Sequence, residues 1–124
     1  MRYGVVSDVH ANLHALETVL AALEREGAER ILCPGDLVGY GPRPNECVAR
    51  LREAGALAVA GNHDLMATDR LSAGTLGGLQ KQTIEWTRGA LDPETRAYLE
   101  ALPEHATTDD GVVIAHGSLG DPTE

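Results

Sequence analysis

The sequence predicts an α/β protein with a parallel sheet. Short apolar runs at residues 2–7, 30–33 and 57–60 read as strands. Segments with apolar residues at helical spacing lie between them. The resulting βαβαβ order requires parallel strands joined by right-handed crossovers. At 124 residues and 43% hydrophobic content, the chain is bounded to one small globular domain, 1–124, or a piece of a larger one.

Residues 2–7 (RYGVVS) are β-branched and aromatic and end in polar residues, the mark of a first strand. Beyond them Leu13, Leu16, Leu20 and Leu23 recur at helical spacing, with Asn12 as cap and Gly27 after the last turn. Residues 30–33 (RILC) make the second strand, and Pro34-Gly35-Asp36 opens a Gly- and Pro-rich loop reaching Pro44. Asn45 is expected to cap a helix over residues 46–54, with Val48 and Leu51 facing inward. Residues 57–60 form the third strand, ending in a turn at Gly61-Asn62-His63-Asp64. Residues 67–79 contain Gly74, Gly77 and Gly78, lack periodicity, and read as a mobile loop over the strand ends. A helix over 80–88 is expected to bury Trp86, and Asp92-Pro93 starts a short helix running to residue 101. Residues 105–108 and 111–115 flank Asp109-Asp110-Gly111, a hairpin signature that adds antiparallel strands to the sheet.

Composition narrows the function. Nineteen acidic against ten basic residues give a formal charge of -9, which disfavours broad electrostatic binding to nucleic acid or to anionic membrane. The N-terminal apolar stretch is short and is broken by Asp8 and His10, and no apolar run approaches the roughly 18 residues of a membrane helix, so the chain reads as cytoplasmic. Cys33 and Cys47 stand alone, without a CxxC, and read as buried free thiols.

The informative pattern is where polar ligand types fall. Asp8 and His10 follow the first strand, Asp36 the second, Asn62 and His63 the third, and His116 follows VVIA. Carboxyl ends of parallel strands lie along one edge of an open sheet, so Asp8, His10, Asp36, Asn62 and His63 should converge there, joined by His116 if its strand runs the same way. On an extended chain Asp8 and His10 would point to one face and grip one ion. Carboxylate, amide and imidazole donors without thiolate suit Mn, Fe, Zn or Co. Asp36, on the middle strand end in sequence, is the candidate to bridge two ions. Such a pair activates water and clamps a phosphoryl group, and His63 would protonate the leaving oxygen.

Any one of these residues taken alone is more simply a cap, a turn or a surface histidine. Turn chemistry explains Asp and Asn at strand ends, but not the added histidines. His14 on the first helix and His105 read as surface residues, whereas Arg43 in the loop after Asp36 is a candidate to reach a phosphate. Competing motifs fail: Gly39-Tyr40-Gly41 lacks the third glycine of GxGxxG, and there is no GxxxxGK[ST], HExxH or G-x-S-x-G. No Lys/Arg cluster offers the basic track of a nuclease.

With Asp8-Val9-His10, Gly35-Asp36-Leu37-Val38-Gly39, Gly61-Asn62-His63-Asp64 and His116-Gly117, the sequence resembles the calcineurin-like metallophosphoesterase superfamily, in its small bacterial and archaeal phosphodiesterase-like branch. The resemblance implies a four-layer α/β/β/α sandwich, incomplete at the C-terminus because the family's GHxH block is absent. It implies one divalent ion on Asp8, His10 and Asp36 and a second on Asp36, Asn62 and His116. His63 would act as acid or transition-state stabiliser, oriented by Asp64. The activity it implies is hydrolysis of small phosphate esters, phosphodiesters above all, through a hydroxide activated by the two ions. Tyr40 stands where protein phosphatases and diadenosine tetraphosphate hydrolases carry an Arg, which weighs against those substrates. The alternative is a non-catalytic phosphoesterase-fold scaffold or metal-binding module, of which the scaffold subunit of the retromer is an instance. An unpaired sheet edge would favour a homo-oligomer or a partner that completes the sheet.

Overall fold

The computed structural model describes residues 1–74 and 76–121. Its centre is a parallel sheet of β1 (Tyr3–Val5), β2 (Arg30–Cys33) and β3 (Leu57–Ala58), in the order β1-β2-β3. Tyr3 lies opposite Arg30, and Leu32 opposite Leu57. The crossovers are α1 (Leu13–Arg25) and α2 (Pro44–Glu53), so the expected βαβαβ unit is present. Asn12 caps α1 as its sequence suggests, its side-chain oxygen accepting from the Ala15 N–H at 3.1 Å.

Side-chain alternation along β2 shows why the sheet is covered on both faces. Ile31 and Cys33 enter a core with Leu16 and Leu20 of α1 and Val48 and Leu51 of α2, while Leu32 points the other way, against Val59 and Ile114. Three more helices follow: α3 (Asn62–Ala67), α4 (Gly78–Ala90) and α5 (Pro93–Glu100). They contribute Leu65, Leu91 and Leu99 to the helix-side core. A hairpin of β4 (His105–Thr107) and β5 (Val113–Ala115) completes the described elements. Helices, parallel sheet and hairpin are thus stacked as successive layers. Cys33 and Cys47 are buried free thiols, and burial pushes both up to about 12. Among the described residues no helix is long and apolar enough to cross a membrane.

Four expectations are corrected. The hairpin does not join the parallel sheet but forms its own two-stranded one. β3 is only two residues long, the Ala60 N–H beyond it is taken by the Pro103 carbonyl at 2.8 Å, and Ile114 packs onto the sheet's face rather than its edge. Asn45 is not a cap: α2 starts at Pro44, whose fixed φ suits a first helical turn. The Asn45 amide instead donates to the Ala90 carbonyl and accepts from the Asp92 N–H, both at 2.9 Å, tying α2 to the α4–α5 junction. The turn at Gly61-Asn62-His63-Asp64 is the start of a helix, α3. Trp86 is 52% exposed. Ile84, Thr87 and Leu91 form the buried face of α4, and Trp86, two residues past Ile84, lies about 200° around the helix from it.

Candidate metal centre

Three loops at the carboxyl ends of the parallel strands build the site, and backbone hydrogen bonds lock them together. The N–H groups of Asp8, His10 and Ala11 donate to the carbonyls of Gly35, Asp36 and Leu37 at 3.0, 3.0 and 2.9 Å, laying the first loop along the second. Asp8, His10 and Ala11 all have positive φ, at 57°, 48° and 57°. The segment is therefore a tight left-handed turn, not the extended chain expected from the sequence. The turn still brings His10 Nε2 to 3.6 Å from Asp8 Oδ1.

Asp64 anchors the second and third loops. It is fully buried, and its carboxylate accepts from the N–H groups of Asp36 (2.8 Å), Leu37 (2.9 Å), Val38 (3.2 Å) and Gly61 (2.9 Å). Burial pushes this carboxyl up to about 7, and the convergent N–H groups pull the other way. Its direct partners are backbone groups around Asp36, so it shapes the loop that carries Asp36. Gly61 has to be glycine there, because a Cβ would overlap the Asp36 carboxylate.

Asp36 is buried at the centre. One oxygen, Oδ1, accepts from the His63 N–H at 3.0 Å. The other, Oδ2, faces His10 Nε2 at 3.6 Å and His116 Nε2 at 3.4 Å. Both imidazoles are oriented from behind: His10 Nδ1 lies 3.2 Å from the Val38 carbonyl and His116 Nδ1 lies 2.9 Å from that of Pro34. A carbonyl only accepts, so each Nδ1 carries a proton, and in the neutral imidazole each Nε2 turns its lone pair toward Asp36 Oδ2. Burial drives the Asp36 carboxyl upward, against the opposing pull of the His63 N–H and the nearby imidazoles.

This donor set fits a divalent cation. Ligands about 2.1 Å from one ion at a tetrahedral angle stand about 3.4 Å apart, close to the separations around Asp36 Oδ2. His10, Asp36 and His63 form one group whose donor atoms lie within 4.8 Å of one another, and Asp8, Asp36 and His116 form a second. Asp36 belongs to both. Asp8 Oδ2 accepts the Ser7 hydroxyl at 2.6 Å, an orienting contact with no signal in the sequence. Asn62 stands half-buried at the first position of α3, beside His63. His63 is buried with Nδ1 lacking a hydrogen-bond partner, and burial lowers its pKa. Arg43 is not drawn in: it is exposed and paired with Glu46 at 3.1 Å. His14 and His105 are exposed, as expected. A cavity of about 390 Å³ beyond α3 is lined by Arg70, Lys81 and Arg88, away from these loops.

Fold and centre together define a phosphoesterase-type metal site at the strand ends of an α/β sheet. The calcineurin-like phosphoesterase family model matches residues 1–123, and the chain belongs to that family. It is 39% identical over 100 residues to the protein MJ0912 of Methanocaldococcus jannaschii, covering 81% of this chain and 41% of that one. A metallophosphoesterase structure from Sphaerobacter thermophilus is 41% identical and superposes over 100% of this chain and 49% of its own, with a TM-score of 0.81. A structure described as a "putative diadenosine tetraphosphatase" is 28% identical, with a TM-score of 0.76 over 95% of this chain and 50% of its own. The chain therefore spans about half the length of these relatives.

Proposed function

We propose that the chain carries the metal centre of a metal-dependent phosphoesterase acting on small phosphate esters, phosphodiesters in particular. The observation that carries this reading is that the buried Asp36 belongs to two groups of metal-type donors, His10–Asp36–His63 and Asp8–Asp36–His116, with its Oδ2 3.6 Å from His10 Nε2 and 3.4 Å from His116 Nε2. Asp8, His10 and Asp36 would hold one ion, and Asp36, Asn62 and His116 the other, with Asp36 shared. Ions of the Mn, Fe, Zn or Co class, when bound, supply a nucleophile at neutral pH and offset charge on the phosphoryl oxygens.

The chain's own residues do the rest. Ser7 and the Pro34 and Val38 carbonyls fix the ligand orientations, as orienting groups behind metal ligands do elsewhere. His63 is the proton donor to the leaving oxygen. Burial keeps its imidazole neutral in the free site, and an arriving phosphoryl anion raises its pKa, so protonation accompanies substrate binding. Asp64 holds the Asp36 loop in place through four backbone N–H groups. The neighbour described as a "putative diadenosine tetraphosphatase" supports a phosphate-ester substrate more broadly.

The test is hydrolysis of bis(p-nitrophenyl) phosphate and p-nitrophenyl phosphate after chelation and again with Mn added back, with metal content measured on the same sample. Diesterase activity restored by Mn is the expected result. Tight metal binding without turnover would favour a non-catalytic phosphoesterase-fold module instead.

A further inference from the structure

Tyr40 is one of only four aromatic residues in the chain, three Tyr and one Trp, and its placement is unusual in three respects. Its backbone has φ of 65°, and the Gly41 N–H donates to the Gly39 carbonyl at 2.8 Å, closing a positive-φ γ-turn around it. That turn is rare and strained for a residue with a side chain, and strain of this kind persists only where the surroundings enforce it. The flanking glycines permit the close approach: a Cβ on Gly39 would stand 2.5 Å from His63 Nδ1, and one on Gly41 would overlap the His10 carbonyl oxygen, which accepts from the Gly41 N–H at 2.9 Å and so ties the loop down.

The ring itself rests on the metal centre. Its centroid is 5.0 Å from that of His10 and 4.6 Å from that of His63. Its hydroxyl lies 3.4 Å from Gln80 Nε2 of α4, a long contact at the exposed end of the ring. Despite these contacts the residue is 48% exposed. An aromatic surface is therefore held in one orientation at the rim of the site, with part of the ring open to solvent.

We propose that Tyr40 is a specificity-determining platform on which a planar group of the phosphoester stacks, so that the site takes esters carrying a nucleobase or another aryl group. This inference rests on the phosphoesterase reading above. Stacking of a base on an aromatic side chain is sequence-tolerant, because every base has a π-face, and one such stack is worth about tenfold or more in affinity.

The test is calorimetric binding of adenosine 5′-monophosphate and ribose 5-phosphate to the Mn-loaded protein. The two probes share sugar and phosphate and differ in the base. Wild type is expected to bind the nucleotide about tenfold more tightly. Tyr40→Leu should lower nucleotide affinity to that of ribose 5-phosphate, with ribose 5-phosphate affinity and the Mn-induced rise in Tm unchanged. Tyr40→Phe, which keeps the ring, should retain the preference. Equal binding of the two probes by wild type, retention of the preference in Tyr40→Leu, or parallel loss of both affinities would overturn the role of Tyr40 alone. Binding of neither probe by wild type would overturn the phosphoesterase reading and this inference with it.

Discussion

Replacing Asp36 with Asn separates a ligand from a structural residue, because the two roles predict opposite signs. The amide can turn its oxygen toward the His63 N–H and keep the 3.0 Å bond that Oδ1 now accepts. Its NH2 group then faces His10 Nε2 and His116 Nε2, 3.6 and 3.4 Å from the present Oδ2. Both nitrogens present lone pairs, so the amide donates where the carboxylate repelled. The substitution also removes a charge from a site whose burial opposes it. A carboxyl held above its ordinary range contributes stability that is present at low pH and lost as the pH rises through its folded-state pKa, so at neutral pH the ionised Asp36 is a burden on the metal-free fold. The metal-free variant should therefore be as stable as wild type, or about 1–2 kcal/mol more stable.

With metal the order reverses. An ion present at about 100 times its Kd stabilises wild type by about 2.7 kcal/mol, which for a chain of this size is a Tm rise on the order of 10 °C. Asp36→Asn removes the ligand common to both candidate groups and should abolish most of that rise. Thermal unfolding followed by circular dichroism, first in chelator and then in excess Mn, reads both effects on the same samples. A variant that keeps the full Mn-induced rise would refute the assignment of Asp36 as shared ligand. A metal-free variant destabilised by more than about 2 kcal/mol would show that the carboxylate holds the loops rather than an ion.

Three further outcomes follow from individual contacts. Ser7→Ala removes the hydroxyl that orients Asp8 and should weaken Mn binding about tenfold by titration calorimetry, with Tm in chelator unchanged. Cys33 and Cys47, pushed up to about 12, should resist iodoacetamide at pH 8 in the folded protein, and both should react once it is unfolded in urea, as read by intact mass. Trp86→Ala should change stability by no more than about 0.5 kcal/mol in urea, since the exposed ring leaves no cavity, whereas a core Trp would cost about 3–5 kcal/mol.

The order of elements was legible because β2 and the helices around it obey simple periodicities. The candidate ligands Asp8, His10, Asp36, Asn62 and His63 stood out because they follow apolar runs that parallel strands bring to one edge, whereas His116 follows a strand of the separate antiparallel hairpin. What sequence could not deliver depends on contacts between segments distant in the chain. The side on which Trp86 falls is set by which face of α4 meets the core, and Ile84, Thr87 and Leu91 decide it. Asn45 looked like a cap because its residue type favours caps, but Pro44 already starts the helix and frees the amide to bridge α4 and α5. The hairpin was legible from Asp109-Asp110-Gly111, but its separation from the parallel sheet depends on Pro103 occupying the Ala60 N–H. The left-handed turn at Asp8, His10 and Ala11 has no local signature, since its three N–H partners lie on the neighbouring loop.

The proposed function puts the cation at Asp36 and not at Asp64, and the reason follows from comparing the two buried carboxylates. Both are desolvated, and burial drives both upward. Asp64 has N–H donors on each oxygen, so its charge is compensated by the backbone and nothing further is required. Asp36 receives one backbone N–H, on Oδ1, and its Oδ2 looks onto two imidazole nitrogens at 3.6 and 3.4 Å. The same loop closure satisfies the first carboxylate and leaves the second in deficit: the N–H of Asp36 is spent on Asp64, while its side chain is turned toward His10 and His116. A buried anion with a one-sided deficit is resolved by a proton or by a cation, and the imidazole nitrogens beside it are donors that a cation can share. On this reading the Asp64 network sets up the demand for metal at Asp36, although the hydrogen bonds of the Asp64 carboxylate go to backbone N–H groups.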